Sequence, residues 1–136
     1  MSRKLMPSLA LLSLLGSLGA CAGREPAPRP DLARVDLGQE APNQLYAVAL
    51  DGRPVKDLRY FDVGPGSHRL AVELDKSGDD SPDQGLCKAS LDYPGFVAGQ
   101  HYRLRESTLG SRLVVRLYGA DGQPLDDPQP LSCFPG

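Results

Sequence analysis

Ser67-His68-Arg69-Leu70-Ala71-Val72-Glu73-Leu74-Asp75 is the stretch whose reading decides the fold. His68, Leu70, Val72 and Leu74 alternate with Ser67, Arg69, Ala71, Glu73 and Asp75. Successive side chains of a strand point to opposite faces, so a period of two marks a half-buried strand with one face on a core. The turn residues Gly64-Pro65-Gly66 lead into it, and the polar stretch 76–85 follows it.

The same grammar repeats outward in both directions. Upstream, Leu45-Tyr46-Ala47-Val48-Ala49-Leu50 ends at the turn dipeptide Asp51-Gly52, and Leu58–Val63 is a second candidate strand. Downstream, Cys87, Ala89, Leu91 and Tyr93 alternate with Lys88, Ser90 and Asp92 until Pro94-Gly95, expected to break the strand. Tyr102 and Leu104 alternate with His101, Arg103 and Arg105, and Leu113, Val115 and Leu117 with Arg112, Val114 and Arg116. The turn Ala120-Asp121-Gly122-Gln123-Pro124 points to a short strand near Leu125. Six to seven short strands with turns between them and no helical period predict an all-β chain, a small antiparallel β-sandwich over residues 43–136.

The N-terminal part follows different rules. Arg3 and Lys4 precede the apolar run Leu5–Leu15, and Gly16-Ser17-Leu18-Gly19-Ala20 closes it with small residues. That order is the order of a secretory signal peptide, and the apolar core is short for a membrane span. Leu18-Gly19-Ala20-Cys21 then resembles the lipobox of bacterial lipoproteins. The resemblance implies cleavage after residue 20 and a lipid on the Cys21 thiol, which holds the chain to a membrane. Two or three acyl chains anchor stably where one does not. Ala22 stands where that family carries an Asp for inner-membrane retention, so the implied address is the outer membrane, facing the periplasm. Residues 21–42, with Gly23-Arg24-Glu25-Pro26-Ala27-Pro28-Arg29-Pro30, read as an extended tether of about 70 Å at about 3.1 Å per residue. Within it, Asp31–Leu37 reads equally as a short helix or an edge strand.

Pieces of the domain resemble PEGA-like β-sandwich modules: Val63-Gly64-Pro65-Gly66-Ser67-His68-Arg69-Leu70-Ala71-Val72, the hairpin Leu50-Asp51-Gly52-Arg53-Pro54-Val55, and Val97-Ala98-Gly99-Gln100-His101-Tyr102-Arg103-Leu104. That resemblance implies an envelope binding or spacer domain without shared catalytic residues.

Charge and cysteines narrow the function classes. The chain holds 15 basic and 17 acidic residues. Without Arg3 and Lys4 the mature part carries 13 and 17, a net of −4, which argues against nucleic acid as a partner. With Cys21 lipidated, Cys87 and Cys133 remain as one pair, read as a disulfide in an oxidising compartment.

A catalytic reading finds little support. His68 and His101 are the two imidazoles. His68 shares the parity of Leu70 and is expected at the core edge, bonded to backbone near the turn. His101 falls on the solvent parity. No Gly-x-Ser-x-Gly, Cys-x-x-Cys or His-x-x-x-His spacing occurs, so no enzyme activity, metal or cofactor is expected. The acidic stretch 75–83 offers four aspartates, but its spacing departs from the calcium-loop pattern and Lys76 sits among them, so it reads as a solvated loop. Arg103, Arg105, Arg112 and Arg116 share the solvent parity of two consecutive strands. If those strands pair through the turn at Leu109-Gly110, the arginines form an outward basic stripe, read first as a plain solvated face and otherwise as a surface for an acidic envelope protein, lipid A phosphates or the carboxylates of a wall partner. The expected function is thus a noncatalytic binding or scaffolding lipoprotein. The alternatives are a periplasmic inhibitor and, disfavoured, a wall-polymer hydrolase.

Overall fold

A computed structural model of the chain describes residues 23–76 and 85–134. The expected signal peptide, Cys21 and most of the acidic stretch (77–83) lie outside the described residues. Among the described residues ten strands follow in order: β1 (Ala33–Gly38), β2 (Gln44–Leu50), β3 (Arg53–Pro54), β4 (Tyr60–Val63), β5 (Gly66–Asp75), β6 (Leu86–Phe96), β7 (His101–Leu109), β8 (Arg112–Tyr118), β9 (Gln129–Pro130) and β10 (Ser132–Phe134). They form two five-stranded sheets, ordered β4-β1-β7-β8-β9 and β10-β6-β5-β2-β3. Seven of the strands have four or more residues, as the alternation predicts, and three short pieces lengthen the sheet edges.

One core lies between the sheets. The first contributes Ala33, Val35, Phe61, Val63, Tyr102, Leu104, Val115 and Leu117. The second contributes Leu45, Ala47, Leu70, Val72, Leu74, Cys87, Leu91 and Phe96. Each sheet buries one face of alternating residues against the other, which makes the arrangement sandwich-like. Leu70, Val72 and Leu74 of the deciding strand all point inward. The turn at Asp51-Gly52 joins β2 to β3 with both residues at positive φ (52° and 79°), the left-handed pair a two-residue hairpin favours.

Four expectations need correction. The domain starts at Ala33 or before, not at residue 43. Strand β1 falls inside the predicted tether and lies in the sheet interior between β4 and β7, with Ala33 and Val35 fully buried. The sandwich is also not wholly antiparallel, because β1 pairs parallel with β7 through Val35–Tyr102 and Leu37–Leu104. Pro94-Gly95 does not end β6. The register of β5 and β6 shifts between Gly66 and His68, opposite these residues, and a bulge tolerates a residue with no N–H to donate. After the Gly122 turn the next strand falls at Gln129–Pro130, while near Leu125 the described residues show a Tyr118–Pro124 bridge and no strand.

Candidate functional site

The outer face of the first sheet gathers most of the predicted site residues. Strands β7 and β8 pair antiparallel through the Leu109–Arg112 turn, so Arg103, Arg105, Arg112 and Arg116 do share one face. They do not make one continuous stripe. Arg103 and Arg105 line an open cleft of about 340 Å³ with Asp36, His101, Tyr118 and the turn Gly119–Gly122. Arg116 lies directly across from Arg105, but its Nε donates to the Asp126 carbonyl at 2.9 Å. Arg112 sits near the far turn and lines a separate recess with Lys76 and Leu131.

Local geometry explains why the cleft exists. Gly38 faces Arg105 across the β1–β7 pairing, and a Cβ there would sit 3.4 Å from Arg105 Cγ. The small residue lets the arginine stem lie flat over β1. Asp36 pairs in register with Arg103, and its carboxylate is 3.9 Å from His101 Nδ1. Among the described residues no side-chain acceptor bonds either Arg103 or Arg105, whereas Arg29, Arg34, Arg59 and Arg69 all hold carboxylates. Arg105 and Arg116 oppose each other directly, and like charges so placed work against the sheet. The cleft can therefore accept a carboxylate or phosphate through two forked, charge-assisted donors.

His68 differs from its expectation. Its Nδ1 lies 2.6 Å from Asp51 Oδ2, so its partner is a carboxylate and not backbone. Asp51 Oδ1 also accepts from the Arg69 amide at 2.8 Å. That backbone bond first, and His68 second, hold the Asp51 pKa below the ordinary carboxylate value. An imidazole oriented by a carboxylate has the form of a catalytic base. Its other nitrogen, however, faces Gly64, 3.8 Å from where a Cβ would stand, and no hydroxyl among the described residues bonds it. The pair staples the β2–β3 turn to β5. His101, as its parity predicts, is exposed.

Sequence reasoning missed two buried charges. Glu106 faces inward on β7 at 1% exposure and accepts from the Glu40 amide at 2.9 Å and Asn43 Nδ2 at 3.4 Å, fixing the β1–β2 connection. Arg34 points outward on β1 yet is 3% exposed. Asp62 on β4 takes its Nε and Nη2, Glu25 and the Pro26 carbonyl take its Nη1, and the Tyr60 ring lies 3.8 Å away. Burial opposes its charge, but the Asp62 and Glu25 carboxylates more than offset this and raise its pKa. The residues predicted to trail away as a tether therefore lie against the first sheet. Gly23 is tied as well, its carbonyl accepting from Arg59 Nη1 at 2.8 Å.

The remaining predicted pair is bonded: Cys87 on β6 and Cys133 on β10 form a disulfide. Next to Arg116, Asp126 Oδ1 accepts the Leu117 amide at 2.9 Å, while its buried Oδ2 has no hydrogen-bond partner. Burial raises the Asp126 pKa above 3.8, against the lowering effect of the Leu117 bond. A carboxyl with a raised folded pKa contributes stability below its unfolded value and loses it as pH rises through the folded value. Asp126→Asn removes that ionisation and keeps an acceptor for Leu117. Its melting temperature relative to wild type should improve from acid toward neutral pH, with the gain absent below the ordinary carboxylate range. Parallel melting curves across pH would show no such trend if Asp126 were freely hydrated.

No group of His, Cys, Asp and Glu among the described residues is placed to hold a metal ion. Together these features define an all-β, two-sheet domain with a small basic cleft on one outer face. No family model, curated protein or solved structure matches the chain.

Proposed function

We propose that this chain is a lipid-anchored envelope protein whose β domain binds an acidic partner without transforming it. The cleft carries the reading: Arg103 and Arg105 stand side by side with no carboxylate bonded to them, opposite a third arginine. A fold that holds like charges together in an open cleft, while the exposed Arg29, Arg59 and Arg69 are each paired with an aspartate, favours a ligand that brings the missing negative charge. The lipobox-like Leu18-Gly19-Ala20-Cys21 supports the anchor, and the Cys87–Cys133 bond suits an oxidising compartment such as the periplasm. On this reading the anchor sits in the outer membrane with the domain facing the periplasm, and the partner is an envelope protein or the carboxylate-bearing wall.

The test joins both halves. The full chain is crosslinked in intact envelopes, and its neighbour is identified by mass spectrometry. Cys21→Ser should leave the membrane fraction. Arg103→Glu with Arg105→Glu should lose the neighbour while keeping the melting temperature, since exposed substitutions usually cost within about 0.5 kcal/mol. Each lost charge-assisted pair is worth about 1.5–3 kcal/mol, so affinity should fall at least about tenfold per arginine. Undiminished binding by the double variant would remove the cleft from the proposal, and a membrane-bound Cys21→Ser protein would remove the anchor.

A further inference from the structure

The contact of Gly23 with Arg59 has a consequence for where a lipid on Cys21 can lie. Only Ala22 stands between Cys21 and Gly23, and an extended chain spans at most about 3.6 Å per residue, so two peptide units reach at most about 7 Å. Glu25 and Pro26 are bonded to Arg34 one strand further in, so the attachment is made at two points along the segment. A 70 Å leash is therefore shortened to the length of two peptide units. The acyl chains of a lipidated cysteine enter the bilayer and leave its backbone at the headgroups.

Resting on the lipid-anchor reading above, we infer that the domain lies directly on the bilayer that holds Cys21, with the β3–β4 connection against the lipid headgroups. The residues around that point suit such a surface. Leu58 is 48% exposed, large and apolar, and it neighbours the Arg59 that holds Gly23. Arg24, Lys56 and Arg59 are exposed in the same chain segments, against Asp57, while Glu25 is engaged by Arg34. An apolar side chain flanked by cations fits an interface of acyl chains and phosphates. The cleft shares this sheet face, since Asp36 on β1 lines it. Its ligand would then be met close to the membrane and not in the open periplasm.

Spin labels placed at Leu58→Cys and, on the outer face of the second sheet, at Asp92→Cys would test this. The acylated full chain is put into vesicles of phosphatidylethanolamine and phosphatidylglycerol containing a headgroup nickel chelate, and relaxation of each label is measured. The mass of the N-terminal peptide is read from the same sample. The expected result is several-fold stronger relaxation at position 58 than at 92. Glu25→Ala with Arg59→Ala, which frees the segment, should reduce that ratio toward one. A lipidated Cys21 with equal relaxation at both positions would overturn the inference and leave the anchor standing. An unmodified Cys21 would overturn the anchor itself, and the inference with it.

Discussion

Replacing Cys87 and Cys133 together by alanine is expected to cost the domain about 4 kcal/mol of folding stability. The bond closes a loop of 46 residues, and the entropy the unfolded chain gains when such a loop is opened is worth about 4 kcal/mol at 25 °C. Local structure gives a second reason. Strand β10 has three residues and pairs only with Leu86, Cys87 and Lys88 at one end of β6. A strand so short has little to hold it once the covalent link is gone. Its departure would bare an edge of β6 beside Leu86, already 41% exposed. Domains of this size have total stabilities in the lower part of about 5–15 kcal/mol, so the variant should be partly unfolded at body temperature. Guanidinium unfolding of wild type with and without reductant, beside the double variant, measures the difference. A change under about 1 kcal/mol would mean that the loop is already constrained in the unfolded chain.

How much of this was legible depended on what each residue had to say locally. Leu70, Val72 and Leu74 declared their strand because one face of β5 meets only core, so the alternation is clean. Tyr102 and Leu104 did the same for β7 and Leu113, Val115 and Leu117 for β8, and the pairing of those two strands puts the basic residues on the outer face. Strand β1 was ambiguous for a physical reason. Its Ala33, Val35 and Leu37 keep the right parity, but six residues after a proline-rich stretch also read as the end of a linker. Its place between β4 and β7 comes from long-range pairing, including a parallel one, that no local pattern encodes. The division of the four arginines was equally hidden. Whether Arg116 is spent on the Asp126 carbonyl, or Arg105 lies over Gly38, depends on loops that meet only in three dimensions.

Arg34→Ala should be the most damaging change at a polar position, lowering stability by about 3 kcal/mol. Removing one member of a buried ion pair typically costs about 3–5 kcal/mol, because the partner keeps its charge without its counterion. The lower figure applies here, since Asp62 and Glu25 are 24% and 38% exposed and can recruit water. Arg34→Lys keeps the charge but has no planar fork to meet both Asp62 oxygens while reaching Glu25 and stacking on Tyr60, so it should restore only part of the loss. Double-mutant cycles separate the two jobs of this side chain. Coupling to Asp62 should be the larger, because that pair joins β1 to β4 within the sheet. Coupling to Glu25 should be nearer the 0.2–1 kcal/mol typical of an exposed pair, roughly what docking the N-terminal segment is worth. The same docking has a direct readout, because Arg24 adjoins the contact and is a trypsin site, whereas Pro30 blocks cleavage after Arg29. Arg34→Ala should speed cleavage after Arg24 well before the domain itself unfolds, and Glu25→Ala should do so with little loss of global stability. If Arg34→Ala costs under about 1 kcal/mol and leaves the segment as resistant as wild type, its burial is incidental and the chain before β1 is held by something other than this guanidinium.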